Sequence, residues 1–283
     1  MRSILAVTGG HRVDLDAFLG MVDGICDERG WTWAHAEQPP AQEWFRPDKA
    51  GRFDAILCHD LPGLHLRRGE PPEPIGPSPE QAGELIAMLN HGQGLVILHH
   101  ALAEWPGWEG WAEAIGGRFH YAPGRLRGRD WPSSGTRIAR YTARVAAPEH
   151  PVCAGVDDFA LTDELYCCPV FTDEVVPLVR ADADLDRSRF VRTYEHVLYG
   201  EDAAPDCTEH PPATDLIAWA TTAGRSPVVA VQPGDSGATF AIPEYRRLLG
   251  NALGWAGSPT ALRWAAHHPS PIAAPLSEGA HPC

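Results

Sequence analysis

Residues 94–99 (GLVILH) are the most uniformly apolar strand pattern in the chain, and a strand without a polar face must be covered on both sides. Such a strand belongs in the middle of a parallel sheet. The segments before it alternate accordingly. Residues 3–8 read as a buried strand stopped by Gly9-Gly10. Leu15, Phe18, Leu19, Val22, Ile25 and Cys26 then recur at helical spacing between an N-cap at Asp14 and a stop at Gly30. Residues 31–37 and 53–58 read as two further strands, and residues 64–77 as loop. Ser78-Pro79-Glu80-Gln81 supplies an N-cap, a proline at the first helical position and a capping-box glutamine for a helix that ends at Gly92 or Gly94. Strands alternating with helices predict an α/β fold, a parallel sheet wound on both sides.

Beyond the central strand, Trp105, Trp108, Trp111, Ala112 and Ile115 fit one helical face closed by Gly116-Gly117, and residues 118–130 read as a locally basic loop. Residues 141–181 predict short strands broken at His150-Pro151 and Asp157-Asp158, the third being 175–180. Residues 182–213 are polar and irregular. Residues 215–220 and 227–231 pair as strands, and Pro243 opens a last helix with Leu248, Leu249, Ala252 and Trp255 facing inward. The expected organisation is one domain over residues 1–257, with an inserted strand and loop region at about 118–213. Residues 258–283 are expected to be a tail that frays from about Ala265.

Composition removes several function classes. Lys and Arg total 23 against 37 Asp and Glu, a formal charge of −14, so a phosphate-tracking nucleic-acid surface is not expected. No apolar run approaches the roughly eighteen residues that span a bilayer, and residues 1–8 lack the long apolar core of a signal peptide. The seven cysteines are scattered without CxxC spacing, which fits reduced thiols in a cytoplasm. Cys167-Cys168 has no basic neighbour to activate a thiolate.

In open parallel sheets, ligands bind outside the carboxyl ends of the strands. The four exits here are Gly9-Gly10-His11-Arg12, His59-Asp60, His99-His100 and Gln232-Pro233-Gly234-Asp235. A histidine ending a buried strand can move protons, bind a metal or hold a loop, and alternation along an extended backbone predicts that only one of His99 and His100 faces the crevice. His11 is expected to be a polar group of the crevice. Its surroundings match neither GxGxxG nor a P-loop, and Asp14 and Asp16 would repel an anion. His59-Asp60 could be an acid/base pair, or Asp60 could cap a turn. Asp163-Glu164-Leu165-Tyr166 could carry a carboxylate over the crevice. Trp105 follows the central exit closely enough to stack on a sugar, while Trp108 and Trp111 read as core. Zinc needs about three converging protein ligands, for which His11, His59, His99 or His100 and Glu164 are the candidates, but no HExxH or paired-cysteine motif is present.

Several stretches resemble the ThuA-like family: Val7-Thr8-Gly9-Gly10-His11, His59-Asp60-Leu61-Pro62-Gly63, Leu98-His99-His100-Ala101-Leu102-Ala103-Glu104-Trp105-Pro106, Gly116-Gly117-Arg118-Phe119-His120-Tyr121, Asp163-Glu164-Leu165-Tyr166, and the helix from Tyr245 to Ala252. The resemblance implies a flavodoxin-like, class I glutamine amidotransferase-like fold and a role in trehalose utilisation, on a disaccharide or its 3-keto derivative. True amidotransferases place a cysteine on the turn after the central strand. Here His99-His100 stands there, so thiolate chemistry on glutamine is not expected. Family members commonly carry Gly-His near the last strand, where this chain has Gly234-Asp235, which argues against a site needing histidine at that exit.

Together these readings predict a cytoplasmic sugar-processing enzyme using acid/base chemistry. His99, His100, Glu164 and Asp60 are the expected catalytic groups, and His11, Trp105, His120, Asp163, Tyr166 and Gln232 the expected substrate contacts. No cofactor is required by this reading, although a divalent ion such as zinc would fit a metal-dependent hydrolase. A sugar is the expected partner, with a homo-oligomer as a further candidate, and a noncatalytic sugar- or partner-binding module is the alternative from another class.

Overall fold

The computed structural model describes residues 1–200, 203, 211–270 and 272. Its centre is a ten-stranded mixed sheet. Strands β1 (Ser3–Gly9), β2 (Thr32–Glu37), β3 (Ala55–Asp60) and β4 (Gly94–Leu98) are parallel, in the order β2-β1-β3-β4. The side chains of the three inner strands alternate between two cores. Ile4, Ala6, Leu57, Val96 and Leu98 meet α1 (Leu15–Arg29) and α4 (Pro243–Ala256) on one face. Leu5, Val7, Ile56, Leu95 and Ile97 meet α2 (Pro79–His91) and α3 (Glu109–Ile115) on the other. Both faces are therefore covered, as the apolar GLVIL run requires. The expected caps are in place: Asp14 accepts from Ala17 N, Ser78 and Gln81 form a reciprocal capping box, and Gly30 and Gly92 end their helices in the left-handed region.

The inserted region does not stand apart from this sheet; it extends it. Strands β5 (Gly135–Val145), β6 (Phe159–Cys167), β7 (Val176–Asp182) and the two-residue β8 (Val191–Arg192) join the hairpin of β9 (Leu216–Ala223) and β10 (Ser226–Val231). The full order is β6-β5-β7-β9-β10-β4-β3-β1-β2, with β8 paired to β5. β10 runs parallel to β4, and every pairing beyond it is antiparallel. The molecule is thus an α/β fold with a flavodoxin-like parallel half and an antiparallel wing.

Several local expectations need correction. β5 begins at Gly135, earlier than the residues near 141 suggested, because its first half has an exposed outer face carrying Ile138 at 70% exposure and no apolar alternation. Residues 118–130 are not all loop: Gly124–Leu126 pairs with Arg129–Trp131 across Arg127-Gly128, both at positive φ as tight hairpins require. Trp105 and Trp108 precede α3 instead of lying on it. Trp105 takes φ 48° and donates its N–H to the Pro62 carbonyl, and its ring lies so close to Gly63 that a Cβ there would sit 2.8 Å from Trp105 Cε3. That contact keeps the chain out of helical geometry. The expected tail contains α5 (Pro259–His267), capped by Ser258 and held by buried Ala261 and Ala265. Fraying does not begin at Ala265, and residues 273–283 lie outside the described residues, as do 201, 202 and 204–210. The rest of the 182–213 stretch is not irregular throughout, since it carries a 3-10 turn (Arg187–Arg189), β8 and a short helix (Thr193–Tyr199). No described helix is long and apolar enough to cross a membrane.

Candidate active site

β4 ends at Leu98, and His99 immediately turns away with φ 50°, a left-handed conformation that residues with a Cβ rarely adopt. A one-turn 3-10 helix, His99–Ala103, follows. Because the extended backbone has already stopped, strand alternation does not apply to the pair. Both imidazoles enter one cluster, with ring centroids 4.3 Å apart, which corrects the expectation that only one would.

Three other exits reach this cluster. His11, beyond β1, stacks on His100 at 3.7 Å between centroids. His59, at the end of β3, lies 5.4 Å from His100 and stacks on Phe18 of α1, while its Nε2 donates to the Gly234 carbonyl over 3.0 Å. Asp235, beyond β10, places Oδ1 3.6 Å from His99 Nε2 and 3.9 Å from His100 Nε2. From β6, on the antiparallel wing, Glu164 Oε2 stands 3.5 Å from His99 Nε2, and the Tyr166 hydroxyl lies 2.8 Å from the same nitrogen. His99 is fully buried and His100 nearly so, whereas the Glu164 and Asp235 side chains are 23% and 38% exposed. The carboxylates therefore form the mouth and the imidazoles the floor.

Electrostatics divide the imidazoles into two kinds. Burial by itself would strip His99 of its proton, but the facing carboxylates of Asp235 and Glu164 outweigh burial and raise its pKa to about 10. Burial, reinforced by the His99 charge, pushes His100 well below its ordinary value and His59 down to about 3. Burial also lowers His11. Asp235 is held below the usual carboxylate range, first by its contact with His99. The result is one positive centre ringed by neutral imidazoles and bounded by two carboxylates.

Other expected site residues frame the cluster instead of lining it. The backbone carbonyl of buried Gln232 accepts from His99 Nδ1 at 2.7 Å, and its side-chain Oε1 accepts from Tyr166 N at 3.1 Å. Asp163 is 2% exposed and accepts from the N–H groups of Gly234 and Asp235 and from the Thr239 hydroxyl, fixing the loop that carries Asp235. Phe119 lies 4.2 Å from the Tyr166 ring and Tyr121 6.5 Å from His11. His120 between them is instead set against Ser134 and Gly124 with Nε2 unpartnered, so it is not part of the cluster. Trp105 is core, packed on Gly63.

Asp60 is not brought to the histidines. β3 is still extended at its end, so Asp60 faces away from His59 and joins a buried group with Cys58 and Glu104, to which the half-buried Gln38 donates from Nε2 over 2.6 Å. Burial raises the pKa of Asp60 to about 6 and that of Glu104 well above the ordinary carboxylate range, the Asp60 carboxyl further disfavouring the charge of Glu104. Asp235, His59 and Tyr121 are not among the expected catalytic or substrate-contacting groups, although His59 is a candidate in the acid/base pair and as a zinc ligand. Asp235 was visible as a strand exit but stood where a histidine was expected. Among the described residues no thiol is set up as a nucleophile: Cys26, Cys58, Cys153, Cys167 and Cys168 are free and buried, and burial raises the pKa of each.

A surface cleft of about 810 Å³ lies over the antiparallel wing between Trp131, Asp173, Arg180 and Asp215, and contains none of the clustered histidines or carboxylates. The histidine cluster is the better candidate, because convergent titratable groups carry chemistry and volume alone does not.

Two solved structures share the fold. A putative thua-like protein from Parabacteroides merdae ATCC 43184 superposes with a TM-score of 0.62 at 16% identity, over 91% of this chain and 90% of that one. A second putative thua-like protein, from Bacteroides uniformis ATCC 8492, gives 0.57 at 14% identity over 90% and 91%. No curated protein matches the chain. The family model described as trehalose utilisation matches residues 21–256. That span runs from α1 through the sheet and the cluster to the end of α4, and on this ground the chain belongs to the ThuA family.

Proposed function

We propose that this protein is a cytoplasmic enzyme of disaccharide catabolism that cleaves a 3-keto disaccharide by proton abstraction beside the carbonyl. The observation that carries the reading is the placement of Glu164, at the mouth of the cluster, 3.5 Å from the positive centre at His99. A 3-keto group makes the C2–H acidic. Glu164 takes that proton, and the developing oxyanion at C3 is stabilised by the positive centre below it. Collapse of the enolate forms a C1–C2 double bond and breaks the C1–O glycosidic bond, and the leaving oxygen takes up a proton. Water then adds across the double bond, so the net reaction is hydrolysis without a covalent nucleophile. His11 and Tyr121 are placed to orient hydroxyls. The family's association with trehalose utilisation supports a disaccharide as substrate.

The test is incubation with 3-ketotrehalose in deuterated water. Free glucose should appear, with deuterium at C2 of the released ketosugar. Glu164→Gln should slow this by about 100-fold or more, and His99→Ala and His100→Ala, singly and together, should also impair it. Calorimetric binding without glucose release or exchange would replace the enzyme by a noncatalytic sugar-binding module.

A further inference from the structure

His99 Nδ1 lies 2.7 Å from the Gln232 carbonyl, and a carbonyl only accepts, so Nδ1 carries a hydrogen. Nε2 then turns either a second hydrogen or a lone pair toward Glu164 and Asp235. The two carboxylate oxygens are 3.5 and 3.6 Å away, outside the usual N–H···O range of about 2.7–3.2 Å. They stand instead near the separation of ligand atoms in a shell around one ion, since two bonds of about 2.0–2.1 Å at a tetrahedral angle put their ends roughly 3.4 Å apart. His100 Nε2 is 3.9 Å from the same Asp235 oxygen, and the ligand atoms of His99, His100 and Asp235 all lie within 4.8 Å of one another.

We propose that the rim binds a divalent transition-metal ion through His99 Nε2, His100 Nε2 and Asp235 Oδ1, with Glu164 adjacent as a fourth ligand or as the base. Two imidazoles with one or two carboxylates form a donor set suited to zinc, whereas calcium and magnesium favour oxygen alone. The shell behind these ligands is built as metal sites require: the Gln232 carbonyl fixes the His99 tautomer, and Asp163 holds the Asp235 backbone. Asp235 then fills the fourth exit as an anionic ligand where a histidine was expected. The Tyr166 hydroxyl lies over the imidazole face, 2.8 Å from Nε2 and 3.0 Å from Nδ1, and so leaves the in-plane lone-pair direction of Nε2 to an ion. The inference deepens the proposed function, because an ion here would occupy the positive centre, and it rests on that reading for the substrate alone.

Full-length protein stripped with a chelator should take up one zinc per chain, read by calorimetry and by elemental analysis after gel filtration. Asp235→Asn and His100→Ala should each weaken binding by roughly 10-fold or more, with folding checked by urea denaturation. Tyr166→Phe should bind at least as tightly. Asp60→Asn should bind normally, because the buried Cys58, Asp60 and Glu104 group is the other described set able to hold an ion. Absence of saturable zinc binding, affinity unchanged in both Asp235→Asn and His100→Ala, or loss confined to Asp60→Asn would overturn the site. Undiminished turnover by the stripped protein would overturn it too and leave the sugar reading standing. Stoichiometric zinc sensitive to Asp235→Asn, with no turnover of 3-ketotrehalose, would establish the ion and remove the sugar reading.

Discussion

Replacing Asp163 by alanine removes the acceptor that fixes the β10 exit. Four donors lose this partner: Glu164 N at 2.7 Å, Gly234 N at 3.3 Å, Asp235 N at 3.2 Å and the buried Thr239 hydroxyl. A buried donor left unsatisfied costs about 1–3 kcal/mol. Glu164 and Asp235 are partly exposed, so their N–H groups should recover water and contribute at the low end. The sum is about 3–5 kcal/mol, a large share of the roughly 5–15 kcal/mol that holds a domain together. Asp163→Asn keeps one carbonyl oxygen for the three backbone groups and presents an N–H to the Thr239 hydroxyl, which can reverse its role. It should cost only about 1–2 kcal/mol, and Thr239→Val should lie in the same range. Urea denaturation of the three variants at one pH gives the comparison, read from midpoints at constant m-value. A loss below about 1 kcal/mol for Asp163→Ala, or equal losses for the alanine and asparagine variants, would refute the hydrogen-bond account. Zinc affinity provides a second readout: Asp163→Ala should weaken it through the displaced Asp235 loop, and Asp163→Asn should largely preserve it.

Gly234 adopts φ 147°, and a Cβ there would lie 2.8 Å from Tyr245 Oη and 3.0 Å from Leu98 Cδ1, so Gly234→Ala should destabilise by about 1–3 kcal/mol in the same urea assay. Burial, aided by Arg118, lowers the His120 pKa to about 3 from 6.5, so between those values the unfolded chain binds one more proton than the folded one. That contribution is complete above pH 6.5 and is lost as pH falls toward 3, by up to about 1.4 kcal/mol per pH unit. His120→Gln should flatten the urea-midpoint profile between pH 4 and 6, and an unchanged slope would exclude His120 as a source. Glu104→Gln keeps a donor for Asp60 and should stay near wild-type stability, whereas Glu104→Ala strands the buried carboxylate and should cost about 2–3 kcal/mol. The buried thiols at Cys58 and Cys168 should resist a thiol reagent in native protein and react on unfolding, as peptide mapping would show.

The parts of this protein that the sequence determined are those whose physics is local. Asp14, Ser78-Pro79-Glu80-Gln81, Gly30 and Gly92 bound their helices because caps and left-handed stops act within a few residues. GLVIL locates the sheet centre because an all-apolar strand has no other place to go. The convergence of four exits follows from the same rule. Alternation holds at His59-Asp60, where β3 is still extended, and sends Asp60 to the other face, but fails at His99-His100, where β4 has ended. Tertiary structure alone decided the rest. The antiparallel wing joins the main sheet through pairings remote in sequence, Trp105 leaves helical geometry because Gly63 lies against it, and Asp235 enters the cluster because Asp163, on another strand, holds its backbone. Each of these depends on contacts between distant segments, whose geometry exists only once the chain has closed around its sheet.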